Sequence, residues 1–286
     1  MRSVTVKAPA KINLVLDVVG RRDDGYHDLK TVFQTVSWYD RVTVNLTDGA
    51  DITLSCNEAV PLDERNTAYK AAALFLAHAN MTCGVRIHIE KHIPMQAGLA
   101  GGSADAAGVL AALDVLTDHA VSRAGLLELA AKIGADVPFC LEGGTALGLG
   151  TGTQLLPLKA VTDGTFVIVK PPCGVSTPEA YRLVDTADAV EHPSVDDFCR
   201  ALDADDWRGM TAAVGNSFEA ALALPDCLAI RNRLLQSGAD AACMSGSGSA
   251  VFGWFADKAD ALFAAKSFGE PMTVYVCEPC GGVVIE

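Results

Sequence analysis

The stretch Pro94-Met95-Gln96-Ala97-Gly98-Leu99-Ala100-Gly101-Gly102-Ser103-Ala104-Asp105-Ala106-Ala107-Gly108 governs the reading of the whole chain. Before it, Val85-Arg86-Ile87-His88-Ile89 alternates apolar and polar side chains, the period of a half-buried strand. After it, residues 106–116 are rich in Ala, Leu and Val, with almost nothing to break a helix. A strand, a glycine loop and a helix in that order aim the unpaired N–H groups of a helix N-terminus at whatever occupies the loop. Those donors, reinforced by the helix macrodipole, suit a phosphate. Gly98, Gly101 and Gly102 are expected to take positive φ and let the backbone approach it closely. Ser103 is placed to cap the helix, or to offer its hydroxyl to a phosphate or metal ion. The Walker loop is excluded because the chain holds no Gly-Lys pair. The dinucleotide fingerprint is excluded because these glycines are spaced Gly98-x-x-Gly101-Gly102. From the loop alone a second reading stays open: a glycine-rich turn that packs a helix closely on a sheet.

Toward the N-terminus, residues 4–19 read as a strand broken or bulged at Pro9. The alternation places Lys11 and Asn13 on one face and Ile12 and Leu14 on the other. Two polar groups sharing a strand face point mildly to a site. Residues 20–29 form a polar turn closed by Gly25, where Tyr26 offers a flat ring and His27 offers hydrogen bonds. That pair suits a nucleobase, or equally a hairpin whose Tyr covers the core edge. Further strands are expected over 31–36, 41–46 and 52–54, and an amphipathic helix over 66–79.

Toward the C-terminus, a helix over 122–133 is capped by Ser122 and ended by Gly134. Asp136 follows, among apolar residues and next to Pro138, as a turn residue or as the partner of Lys11. The glycine run 143–152 closes a first domain over residues 1–156, leaving a second over 157–286. In that second part a strand over 166–169 leads to a helix over 179–184, with Thr177 as its cap and Pro178 at its first position. Tyr181 lies one turn inside. Helices are expected over 195–201, 207–219, 227–237 and 257–266, and a strand over 273–277. A second glycine-serine loop, Ser245-Gly246-Ser247-Gly248-Ser249, feeds another strand.

Composition bounds the function. The 286 residues fit two domains on a prior of roughly 150 residues each. The balance of 22 Lys and Arg against 35 Asp and Glu, net −13, argues against a nucleic-acid or anionic-membrane partner. An anionic small molecule would then need a locally positive pocket. Nine cysteines without a secretion signal fit reduced thiols in a cytoplasm. Cys277 and Cys280 have metal-ligand spacing, but no second pair or nearby His completes a zinc site.

Three elements together resemble the GHMP family of small-molecule kinases: the glycine loop beginning at Pro94, the early Lys11, and the late Gly246-Ser247-Gly248 loop. The resemblance narrows at Ala8-Pro9-Ala10-Lys11-Ile12-Asn13-Leu14, Arg22-Asp23-Asp24-Gly25-Tyr26-His27 and Gly134-Ala135-Asp136-Val137-Pro138. There the chain is similar to members that phosphorylate a cytidine diphosphate-linked methylerythritol in the non-mevalonate isoprenoid pathway. The likeness spans residues 8–252. It implies an α+β fold of two domains, with a sheet-rich ATP-binding N-terminal half, a ferredoxin-like C-terminal half and the active site in the cleft between them. It implies ATP and Mg²⁺ as cofactors, Lys11 and Asp136 as the catalytic pair, and residues 94–104 as the ATP phosphate loop. Asn13, Tyr26, His27, Thr177 and Tyr181 are then the substrate contacts, with Tyr181 stacking on the cytosine face opposite Tyr26. Many members carry a second Ser where this chain has Ala104, so Ser103 alone is left for a metal or phosphate role, and the metal ligands stay unassigned. The enzyme is expected to be a monomer or weak homodimer. The alternatives are a GHMP-type kinase for another sugar or polyol, and a nucleotide-binding regulator without chemistry, against which the retained Lys11 and Asp136 argue.

Overall fold

The computed structural model describes residues 2–187 and 190–286. Its spine is an antiparallel pair of long strands, β1 (Ser3–Arg21) and β2 (His27–Thr47), in register from Ser3↔Asn45 to Arg21↔His27. Pro9, which lacks a ladder N–H, sits at a bulge rather than a break: the register shifts between Pro9 and Ala10. The two strands expected over 31–36 and 41–46 are therefore one. The residues between them stay extended because Ser37 N–H donates to Glu278 O and its hydroxyl accepts from Glu278 N–H, each at 2.9 Å.

The first layer continues with β3 (Ile52–Cys56), α1 (Thr67–His78), β4 (Gly84–Glu90) and α2 (Gly101–Leu116). It ends with α3 (Arg123–Ile133), α4 (Val137–Glu142), β5 (Thr145–Gly150) and β6 (Gln154–Pro157). α2 is apolar on every side, as a helix must be when it is enclosed. Ala106, Ala107, Val109, Leu110, Ala112 and Leu113 are all fully buried. Gly108 lets α2 lie directly on the spine, since an added Cβ would stand only 3.1 Å from Val6 and 3.2 Å from Val42. Ser122 caps α3 by accepting from Gly125 N–H at 3.1 Å, as its sequence implied.

The chain then enters β7 (Thr165–Lys170), α5 (Thr177–Thr186), α6 (Val195–Asp203), α7 (Trp207–Ala212), β8 (Gly215–Asn216) and α8 (Ser217–Leu222). It closes with α9 (Pro225–Gln236), β9 (Ala241–Met244), β10 (Val251–Phe255), α10 (Lys258–Ala265), β11 (Thr273–Cys277) and β12 (Val284–Ile285). The second sheet is antiparallel with order β11-β7-β10-β9, the 4-1-3-2 arrangement of a ferredoxin-like layer. The sheets change between Pro157 and Thr165, but β8 and β12 return to pair with β1. The helix expected over 207–219 is accordingly interrupted. Asn216 is extended beside Leu16, donates its amide to Met244 O at 2.7 Å and Gly246 O at 2.8 Å, and accepts from Phe218 N–H at 2.9 Å. Two tertiary bonds and a local cap outweigh a helical pattern.

One buried charge cluster sets where β4 hands over to the glycine loop. Lys91 donates to Asp40 on β2 and, at 2.8 Å, to Asp105 on α2. Asp40 is fully buried and also accepts from His92 N–H at 2.6 Å and Ile93 N–H at 2.8 Å. Asp105 has only Lys91, and its Oδ1 is buried without a partner. Burial, against the nearby Lys91 charge, pushes the Asp105 carboxyl above its ordinary range.

Asp40→Asn is expected to cost about 3–5 kcal/mol in urea denaturation, because it strips the charge from one partner of a buried ion pair. Asp105→Asn is expected to cost far less. A carboxyl whose folded pKa is raised binds more protons in the folded state, so wild-type stability should fall as pH rises above the ordinary carboxylate range. That part of the slope should vanish in Asp105→Asn; an unchanged slope would contradict this account.

Candidate active site

Lys11 lies in the middle of β1, between register shifts at Pro9/Ala10 and Asn13/Val15. The ammonium is buried and donates to Asn13 Oδ1 at 2.8 Å. The Asn13 amide is oriented in turn: its Nδ2 donates to Thr31 Oγ1 at 2.8 Å, and that hydroxyl donates to Val15 O at 2.7 Å. Asp136, which precedes α4 and makes no capping bond with its side chain, brings Oδ2 to 3.5 Å from Lys11 Nζ. Its side chain is one-third exposed, opening into the cleft rather than the core. The carboxylate and the ammonium thus face one another at the wall of a cavity of about 1030 Å³.

Residues 94–103 line that cavity, while Ala104 is fully buried in α2 and does not. α2 begins at Gly101, five residues earlier than expected, and this changes the role of each loop residue. Gly98 has φ +75, but Gly101 and Gly102 are helical; the other left-handed residues are Gln96 and Ala100, at φ 52 and 57. Ser103 is not the cap: Ala100 occupies that position without a side-chain bond, and Ser103 stands in the first turn with its N–H on Ala100 O. The N–H groups of Gly101 and Gly102 are left without an acceptor among the described residues and face the cavity. Glycine is needed at 101 for closeness instead of φ, because a Cβ there would sit 3.0 Å from Lys91 Nζ and 3.2 Å from Ile93 Cγ2.

The late loop closes the other side. Ser245 Oγ donates to Gly98 O at 3.0 Å and accepts from Asn13 N–H at 3.3 Å, and Ala250 N–H donates to Ala97 O at 3.0 Å. A Cβ on Gly98 would overlap Ser245 O at 2.0 Å, so the two glycine loops touch backbone to backbone. Ser247 reaches Thr177 Oγ1 at 3.1 Å. Thr177 is thereby a contact between loop and helix and not the cap of α5; Ser176 accepts from Glu179 N–H in that role.

At the far end, Tyr26 is two-thirds exposed, and the ring that Tyr181 meets is His27, stacked at 4.5 Å and 16°. Tyr181 also receives Phe218 edge-on at 5.0 Å, and burial, with the charge of Asp136, pushes its hydroxyl up to about 12. The cavity wall here includes Arg21, Arg182 and Asp185, none of them singled out in the sequence. Lys91 was missed as well, although it stands three residues ahead of Pro94. Among the described residues no group of three or more His, Cys, Asp and Glu could hold a metal. Burial pushes the Cys277 and Cys280 thiols up. No helix among the described residues is long and apolar enough to cross a membrane.

Known proteins resemble the chain in sequence and in fold. Residues 66–144 match the GHMP kinases N terminal domain and residues 200–273 the GHMP kinases C terminal domain. A 4-diphosphocytidyl-2-C-methyl-D-erythritol kinase of Brevibacillus brevis is 44% identical over 252 residues, covering 87% of this chain and 86% of that protein. Another, from Clostridium botulinum, is 43% identical over 274 residues, covering 95% and 96%. A crystal structure of a 4-(cytidine 5'-diphospho)-2C-methyl-D-erythritol kinase superposes with a TM-score of 0.81 at 37% identity, over 96% of this chain and 100% of that one. A homoserine kinase from Cytophaga hutchinsonii, at 19% identity and a TM-score of 0.80, shares the fold. With a GHMP architecture, a glycine loop at the head of α2 and relatives matched over nearly their full length, the chain belongs to the 4-diphosphocytidyl-2-C-methyl-D-erythritol kinase family of GHMP kinases.

Proposed function

We propose that the cleft transfers the γ-phosphoryl group of ATP to the 2-hydroxyl of 4-diphosphocytidyl-2-C-methyl-D-erythritol, the compound for which the relatives are named. The observation that carries this reading is the meeting of Lys11 and Asp136 at 3.5 Å inside the cavity that both glycine loops line. The phosphates of ATP lie against the free N–H groups of Gly101 and Gly102, where the α2 dipole favours negative charge. Charge spreads over the phosphoryl oxygens in a loose transition state, so positioning and fixed dipoles carry most of the catalysis. Asp136 accepts the hydroxyl proton as the alcohol attacks. Lys11, held by Asn13, stabilises that carboxylate and the charge growing on the alcohol oxygen.

Mg²⁺ fits this donor set in the way it usually binds nucleotides, chiefly through phosphates and water. Ser103, which lines the cavity, is the one hydroxyl of the loop that would hold it, and the ion would neutralise charge on the phosphate oxygens. Tyr26, His27 and Tyr181 form the nucleobase end of the cleft, with Thr177 between that end and the late loop.

Asp136→Asn keeps size and hydrogen bonding, so kcat should fall by about 10²–10⁴ while calorimetric affinities for ATP and the cytidylyl substrate stay near wild type. Lys11→Met should also lower kcat, and the double variant should be far from additive, because the two act as a unit. Near-wild-type turnover in Asp136→Asn would overturn the mechanism. Gly101→Val is a separate test of the phosphate cradle. The added side chain crowds Lys91 and the loop N–H groups, so KM for ATP should rise at least about tenfold, as for the loss of charge-assisted hydrogen bonds. Binding of the cytidylyl substrate should be unchanged; loss of that binding with ATP affinity intact would reverse the assignment of the two ends.

A further inference from the structure

Arg21 and His27 are directly opposite one another at the end of the β1–β2 ladder. Both reach the same side chain on a distant helix. Asp185, in the last turn of α5, places Oδ1 2.7 Å from His27 Nε2 and Oδ2 3.5 Å from Arg21 Nη1. Tyr181, one turn earlier on α5, covers a face of the imidazole at 4.5 Å. His27 is therefore held by its backbone in β2, by a stacked ring, and by a carboxylate on one nitrogen. Its side chain is only 6% exposed, and Nδ1 makes no hydrogen bond among the described residues. His27, Tyr181 and Asp185 all line the cavity.

We infer that Asp185 is a positioning residue that determines base specificity, by fixing which nitrogen of His27 carries the proton. A carboxylate has only acceptors to offer, so the nitrogen it contacts, Nε2, must be the N–H donor. In the neutral form of the ring, Nδ1, which has no partner among the described residues, is then a bare acceptor on a residue that lines the cavity. An acceptor at that point takes a hydrogen bond from an exocyclic amine and faces a carbonyl oxygen lone pair to lone pair. The site thus selects a pyrimidine with a 4-amino group over one with a 4-oxo group, and Asp185 sets that choice without touching the base. This rests on the proposed reading of the cavity as a cytidylyl site.

Asp185→Asn separates this role from a merely structural one. The asparagine amide can turn its N–H toward Nε2, which moves the ring proton to Nδ1 and makes the cavity-facing nitrogen a donor. At pH 8, above the ordinary imidazole range, kcat/KM should be measured for the cytidylyl substrate and for its uridine diphosphate-linked counterpart. Wild type should prefer the cytidylyl compound, and in Asp185→Asn that preference should fall about tenfold, on the scale of one hydrogen bond gained or lost. KM for ATP should not change. Imidazole ¹⁵N shifts of the wild-type protein, assigned with His27→Gln, should show Nε2 protonated and Nδ1 bare, and they decide the matter even if the Asn variant folds poorly. An unchanged preference in Asp185→Asn, or a wild-type Nδ1–H tautomer, would overturn the inference. If wild type fails to phosphorylate the cytidylyl compound at all, it is the proposed function that fails, and the ¹⁵N result still reports on Asp185.

Discussion

Strand β1 is bonded along its own backbone to both glycine loops, and the site depends on that constraint. Lys11 N–H donates to Leu99 O at 3.1 Å, and two residues on, Asn13 N–H donates to Ser245 Oγ at 3.3 Å. The first bond fixes the phosphate loop, the second the late loop, and between them the Lys11 side chain emerges. A strand is a stiff ruler, rising about 3.3 Å per residue, so its two attachments set the spacing of the loops to within the slack of a hydrogen bond. Asn216 secures the same arrangement from behind: β8 pairs with β1 at Leu16, while the Asn216 amide holds the carbonyls of Met244 and Gly246. Catalytic geometry is intolerant of small misplacements, and here each attachment has a backbone group as at least one partner.

Beneath the loop the same logic uses charge. Asp40 satisfies its carboxylate with Lys91 and two backbone N–H groups, which locks the corner where β4 turns toward Pro94. Asp105 completes the cluster less well, with one oxygen orphaned. Two carboxylates against one ammonium leave a surplus negative charge in the core, a costly arrangement unless one of them holds its proton. Burial drives Asp105 in that direction. The lysine that lines the cleft is thus anchored from the rear, and its head is placed within reach of Gly101 without being free to wander.

The sequence carried the local parts of this design and lost the distant ones. Alternation put Lys11 and Asn13 on one face, and a strand, loop and helix around residues 94–108 were legible because apolar period and glycine placement are short-range signals. The cap of α3 was readable for the same reason. The start of α2 was misplaced because Ala100, not a glycine, takes the left-handed turn that ends the loop, and no propensity favours alanine there. Residues 207–219 read as one helix because the bonds that extend Asn216 come from residues near 244–246, far along the chain. His27 was noticed, but Asp185 was not: 158 residues separate them, and a lone Asp in the last turn of a helix carries no local mark.

Charge shows how a chain of net −13 accommodates anionic ligands. The cavity is lined by Lys11, Arg21, Lys91 and Arg182 against Asp136 and Asp185, four positive groups to two negative, which inverts the sign of the protein as a whole. Lys91 is largely neutralised by the carboxylates behind it, so the positive potential comes mainly from Lys11, the two arginines and the open end of α2. These sources lie at different places along the cleft. The helix end and Lys11 serve the centre, where phosphoryl transfer is proposed, while Arg21 and Arg182 stand at the end that holds His27 and Tyr181. Such a division concentrates positive potential in the groove, where anionic ligands are proposed to sit.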